Sequence, residues 1–104
     1  MRTKRRYLAL QLDGDCVPGE REFLDAIWHS LLQIYGERGA SVAGLVLISY
    51  DVEAKRAVLR VSLVALDMAR VALVFLTRVG DCELAVHVVG VSGTVKALRS
   101  KFLV

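Results

Sequence analysis

Gly44–Leu63 reads GLVLISYDVEAKRAVLRVSL, and its two apolar runs around a polar centre decide the fold. Gly44–Asp51 is rich in β-branched and aliphatic residues, Val52–Lys55 is a loop, and Arg56–Leu63 is a second strand, so the stretch is expected to form a β-hairpin. Upstream, Arg6–Asp13 sets Leu8, Leu10 and Leu12 against Tyr7, Ala9 and Gln11, the alternation of a half-buried strand that Asp13-Gly14-Asp15 ends. Pro18 suits a first helical turn and Glu20 and Glu22 suit its positive end. From there Phe23, Leu24, Ile27, Trp28, Leu31, Leu32 and Tyr35 recur at helical spacing until Gly36 and Gly39. Trp28 is expected to pack in the core. Downstream, Val64–Val79 is expected to be a helix buried on two sides, because its thin polar stripe of Asp67 and Arg70 also carries Val71 and Val74. After the Gly80-Asp81 turn, Cys82–Val89 alternates as a fourth strand, and Gly93–Phe102 forms a terminal helix.

The order βαββαβ followed by a helix folds most simply as an α+β sandwich of ferredoxin-like, RRM-like type. A four-stranded antiparallel sheet, ordered 4-1-3-2, lies under two helices, with the C-terminal helix added. At 104 residues, 55% of them hydrophobic and 24% charged, residues 1–104 suit a single domain with a real core, preceded over residues 1–5 by a basic arm. The longest apolar stretch, Leu63–Leu76, is interrupted by Asp67 and Arg70 and is too short to span a bilayer. The basic N-terminus lacks the apolar core of a signal peptide, which makes the cytoplasm the expected compartment. A mean hydropathy of +0.48 is high for a small soluble domain and points to apolar surface covered by a partner.

Cys16 and Cys82 are too few for a disulfide framework and lack zinc-site spacing. The topology brings them near each other and makes a disulfide conceivable. Free thiols are nevertheless the expectation, since cytosolic disulfides are rare outside hyperthermophiles. The chain has no Asn and only two Gln, a composition in the thermophilic direction.

The net charge of +3 hides a division. Arg2, Lys4, Arg5 and Arg6 carry +4 with no acid, and Leu84–Val104 carries +3 through Lys96, Arg99 and Lys101 with no acid. Tyr7–Glu83 sets seven bases against all eleven acids. In the expected fold Arg2, Lys4, Arg5, Arg6, Arg38 and Lys96 gather at one edge against only Glu37 and Asp67, while Asp13, Asp15, Glu20, Glu22, Asp51, Glu53, Asp81 and Glu83 outnumber Arg21, Lys55, Arg56 and Arg78 at the other. An extended anion, with nucleic acid the commonest, would meet only the basic edge.

The most informative motif is Gly90-Val91-Ser92-Gly93-Thr94-Val95-Lys96, where a strand ends in small residues and a helix begins with Ser92 able to cap it. Free N–H groups at such a start bind phosphate, and Lys96, Arg99 and Lys101 could follow a backbone from it. An ordinary capped helix explains the same residues. Strands one and three lack the aromatics of a base-stacking sheet: Tyr7 fits, but strand three offers Val58, Arg60 and Ser62. Shape and phosphate recognition is the better version, with Arg60 either a contact or a solvated or paired arginine. His29 and His87 have no second ligand at metal spacing, and no nucleophile–base or paired-carboxylate arrangement stands out, so intrinsic catalysis is not indicated. A small-ligand-binding or protein-interaction module on the same fold is the alternative reading.

These residues carry a resemblance. Arg6-Tyr7-Leu8, Ala26-Ile27-Trp28, Gly36, Ala43-Gly44-Leu45, Arg60, and Gly90-Val91-Ser92-Gly93-Thr94 followed by Lys96, Arg99, Lys101, Phe102 and Leu103 resemble the archaeal and eukaryotic ribonuclease P protein component 2 family, nearly end to end. The resemblance implies a non-catalytic subunit of the ribonucleoprotein that removes the 5′ leader of precursor tRNA, with catalysis by the RNA and its Mg²⁺ and no cofactor on this chain. It implies pairing with ribonuclease P protein component 3, self-association within a heterotetramer, and support of the catalytic RNA domain. Carried over by residue, RNA contacts are expected at Arg2, Lys4, Arg5, Arg6, Arg60, Ser92, Gly93, Thr94, Lys96, Arg99 and Lys101. Val71 and Val74 are the expected protein contact. One departure is that Val61, Ser62, Leu63 and Val64 follow Arg60, where relatives often have polar residues.

Overall fold

The computed structural model describes residues 4–102, with side chains described through residue 100. In chain order the elements are β1 (Arg5–Gly14), α1 (Glu20–Val42), β2 (Val46–Asp51), β3 (Arg56–Ser62), α2 (Leu66–Phe75), β4 (Arg78–Val79), β5 (Cys82–Ser92) and α3 (Val95–Phe102), with a 3-10 turn over Leu63–Ala65 leading into α2. The strands pair antiparallel in the order β2-β3-β1-β5-β4. The four long strands therefore take the expected order.

The fifth strand corrects the four-stranded expectation. Residues 78–79, read as the end of a helix from Val64, instead pair with β5, Arg78 opposite Glu83 and Val79 opposite Cys82. The cause lies in the turn: Gly80, at φ +60°, and Asp81 close a tight hairpin, and Arg78 and Glu83 form an ion pair across it. The backbone is already extended at Leu76, so α2 is only 10 residues long.

Two irregularities curl the sheet. The β1–β5 register shifts between Ala9 and Leu10, and the β2–β3 register shifts between Leu47 and Ser49, each a bulge that bends its strand.

Helix α1 runs past the glycines that were expected to end it. Gly36 adopts φ 75° and ψ −179°, a conformation open essentially to glycine alone, and the chain kinks there before continuing helical to Val42. At Gly39 a β-carbon would lie 2.5 Å from Tyr35 Cβ and 2.9 Å from Met68 Cε, so the last turns can close on α2 only without a side chain.

The main core lies between the sheet and the α1/α2 layer. Leu8, Leu10 and Leu12 of β1 and Leu59 and Val61 of β3 meet Phe23, Ile27 and Leu31 of α1 and Ala69, Ala72 and Leu73 of α2. The buried stripe of α1 steps every fourth residue from Phe23, which leaves Trp28 one step round the helix. Its expected core position is corrected: it is 39% exposed. Helix α2 buries one side rather than two, since Val71 and Val74 face outward.

The opposite face of the sheet is not open either. Ala9 and Val58 are buried beneath Leu98 of α3, with Tyr7 and Ile48 packed alongside. Helix α3 is thus a partial third layer, and Val58 belongs to a second core.

Cys16 and Cys82 form a disulfide, with Cα atoms 5.8 Å apart. This corrects the expectation of free thiols. The loop after β1 and the start of β5 are brought within bridging distance by the central β1–β5 pairing, in which Gly14 lies opposite Leu84. Among the described residues no helix is long and apolar enough to cross a membrane.

Candidate nucleic-acid interface

Charge is segregated along the strand direction. The start of β1, the ends of β3 and β5 and the last turn of α1 share one end of the sheet: Arg5 lies opposite Ser62, Tyr7 lies opposite both Arg60 and Ser92, and Leu63 N–H donates to Lys4 O at 2.8 Å. Ser62 fastens α1 there, its N–H donating to Ala43 O at 2.9 Å and its hydroxyl to Val42 O at 2.6 Å. Asp13, Asp15, Asp51, Glu53, Asp81 and Glu83 are exposed at the far end, where the strand turns gather. The expected bipolar arrangement is present.

The Ser92–Thr94 turn belongs to the basic end. A β-carbon on Gly93 would sit 3.8 Å from Arg6 Nη1, so the guanidinium stands beside the turn while donating to Arg5 O at 2.9 Å. The cap differs from expectation. Thr94 Oγ1 accepts from Ala97 N–H at 3.1 Å and Thr94 O from Leu98 N–H, which makes Thr94 the N-cap of α3. Ser92 Oγ instead accepts from Thr94 N–H at 3.3 Å and shapes the turn.

Lys4, Arg5, Arg6, Arg60, Ser92, Gly93, Thr94 and Lys96 therefore gather at one end, with Lys4, Arg5 and Lys96 exposed. Arg99 does not join them. Helix α3 runs back across the sheet, and Arg99 borders an open cavity of about 530 Å³ against the β2–β3 hairpin, facing Asp51, Glu53 and Arg56. Arg2 and the side chain of Lys101 lie outside the described residues.

Arg60 makes no ion pair among the described residues. It is half-buried, and its Nε is buried with no hydrogen-bond partner among the described residues. It lines an open cavity of about 370 Å³ together with Arg5, Ser41, Val42, Val46 and Ser62. Arg5 and Arg60 are among the contacts expected from sequence, whereas Ser41, Val42 and Val46 are not. The signal that would have found Val46 is the hairpin register, which sets it opposite Arg60.

Val71 is 38% and Val74 72% exposed, and Phe75 beside them is exposed too, an outward apolar strip on α2. Among the described residues no group of three or more His, Cys, Asp or Glu is placed to hold a metal ion. His87 lies 3.9 Å from Asp13, at the acidic end.

Comparison with known proteins gives one consistent answer. Residues 6–103 match the model of the Rpp14/Pop5 family. The chain is 32% identical to ribonuclease P protein component 2 of Pyrococcus horikoshii over 103 residues, covering 99% of this chain and 86% of the relative. It is 34% identical to the protein of that name from Archaeoglobus fulgidus, covering 99% and 92%. A chain in the cryo-EM structure of yeast ribonuclease MRP superposes with a TM-score of 0.70 at 13% identity, over 90% of this chain and 77% of that one, which shows a shared fold.

Proposed function

Because the chain belongs to the Rpp14/Pop5 family, we propose that its basic end is the surface through which it holds RNA. It is a non-catalytic protein component of an RNase P-like ribonucleoprotein endonuclease acting on RNA. The observation that carries this reading is the family match over residues 6–103, supported by relatives that align with 99% of the chain.

The finer reading is that the enzyme removes the 5′ leader of precursor tRNA in the cytoplasm, and that this subunit binds the catalytic domain of its RNA. Lys4, Arg5, Arg6 and Lys96 replace counterions where RNA helices approach one another, which lowers the Mg²⁺ needed for the active RNA fold. Arg60 and the Ser92–Thr94 turn complete that surface. Arg99, which faces Asp51 and Glu53 across the β2–β3 hairpin, lies outside it.

The protein partner is component 3, met by the outward strip of Val71 and Val74. Exposed apolar side chains on a helix whose other side is already packed support this assignment. Self-association within a heterotetramer accounts for further apolar surface.

Affinity purification from native lysate, with sequencing of bound RNA and identification of bound proteins, tests the whole reading. Ribonuclease P RNA and a component 3 protein are the expected recoveries. Recovery of neither by the folded chain would overturn the assignment and leave a small-ligand or protein-interaction module on the same fold.

A further inference from the structure

We propose that the cavity beneath the α1–β2 loop is a pocket for one unpaired nucleotide of the RNA, its phosphate between Arg5 and Arg60 and its sugar and base against Val42 and Val46. The inference rests on the RNA-binding reading above and gives the basic end a specific subsite.

Four observations converge. First, among the described residues the cavity is lined by two guanidinium-bearing side chains and by no carboxylate, whereas the cavity beside Arg99 is lined by Asp51 and Glu53 as well. The first is therefore suited to an anion and the second is not. Second, the buried Arg60 Nε lacks a partner among the described residues. A donor of a charged group withdrawn from water without an acceptor is costly, and an arriving phosphate oxygen would relieve that cost.

Third, the site is held open by its own structure. Arg60 is fixed by its register between Tyr7 of β1 and Val46 of β2, and the Ser62 hydroxyl is committed to the Val42 and Ala43 carbonyls. Ser62 thus builds the wall and leaves Ser41, whose hydroxyl donates to Arg38 O, at the exposed rim.

Fourth, the mouth is apolar as well as basic: Val42 is 47% and Val46 38% exposed. A phosphate alone would gain nothing from them, while a sugar and base would cover them. At about 370 Å³ the cavity falls within the size range of small-molecule sites, about 300–1,000 Å³. A paired nucleotide keeps its phosphate on the convex duplex surface. Reaching a buried Nε requires a residue turned out of the helix, as RNA loops and bulges provide.

The test is NMR of the full chain, ¹⁵N-labelled, titrated separately with adenosine 5′-monophosphate, inorganic phosphate, adenosine and a short RNA duplex. Saturable shifts of the Ser41, Gly44, Val46 and Ser62 amides with the monophosphate are expected, with binding about tenfold weaker for inorganic phosphate and for adenosine. Arg60→Gln should weaken the monophosphate about tenfold or more. Arg5→Gln and Ser41→Glu, at exposed positions, should do so in the same direction without disturbing the fold.

Equal affinity for inorganic phosphate and the monophosphate would overturn the nucleotide assignment. So would shifts confined to the Ser92–Thr94 turn, although the duplex moving that turn would leave the broader RNA reading standing. A duplex that moves no amide of the basic end would instead count against that broader reading.

Discussion

Cys16 and Cys82 close a loop of 66 residues in sequence, with Cα atoms 5.8 Å apart, and so tie the loop ahead of α1 to the first residue of β5. A crosslink over so long a loop removes much conformational freedom from the unfolded chain, and is worth about 2–4 kcal/mol. Titration of the denatured, unreduced protein should find no free thiol. Reduction, or Cys16→Ser with Cys82→Ser, should lower Tm by about 10 °C or more for a domain of this size. Two free thiols in the unreduced protein would exclude the bridge.

Leu98 is fully buried over Ala9 and Val58 and is the main anchor of α3. Truncating a buried leucine costs about 2–5 kcal/mol. Leu98→Ala should therefore lower the urea midpoint and strip hydrogen-exchange protection from α3 first, while the α1/α2 side of the sheet stays protected. Uniform loss of protection over the whole chain would mean that the two cores are not separable.

The different fates of these features in the sequence have physical causes. Alternation in Arg6–Asp13 and helical spacing from Phe23 to Tyr35 are local signals, so β1, α1 and the order of the four long strands were legible, as was the gathering of Lys4, Arg5, Arg6 and Lys96 at one end. Trp28 misled because it lies beside the Phe23–Ile27–Leu31 stripe and differs from it only by one step of rotation. The end of α2 at Phe75 was hidden because Leu76 and Val79 are buried whether the chain is helical or extended, and only the Gly80-Asp81 turn separates the two. The cavity at Arg60 depends on where the α1–β2 loop lies over β3. That contact joins Val42 and Ala43 to Ser62, and no local pattern encodes it.

Tyr50 donates its hydroxyl hydrogen to Pro18 O at 2.6 Å and packs against Phe23, with ring centroids 5.3 Å apart. Burial, then the negative charges of Glu20 and Glu22, raise its pKa above 10.0. The unfolded chain therefore releases this proton at a lower pH than the folded one. The stability this difference represents is complete below about pH 10 and falls as pH rises from there towards the folded pKa. Tm measured from pH 8 to 11 should drop less steeply for Tyr50→Phe than for the parent chain, at the expense of the Pro18 hydrogen bond, about 1 kcal/mol at neutral pH. Parallel profiles would show that Tyr50 is not coupled to folding.

Arg6 and Lys96 flank the Ser92–Thr94 turn from β1 and from the first turn of α3, so on the proposed RNA surface one stretch of backbone would meet both. Each phosphate contact that is lost removes about one released counterion. Arg6→Ala with Lys96→Ala should therefore reduce the salt dependence of RNA binding by about two contacts. In a reconstituted ribonucleoprotein the same pair should raise the Mg²⁺ needed for half-maximal cleavage, because magnesium must supply the screening that the side chains no longer provide. Arg21→Ala, which removes a positive charge at the exposed start of α1 among acids, is the matched control and should leave both quantities unchanged. An unchanged Mg²⁺ requirement in the double variant, with the protein still incorporated, would place the RNA on another surface.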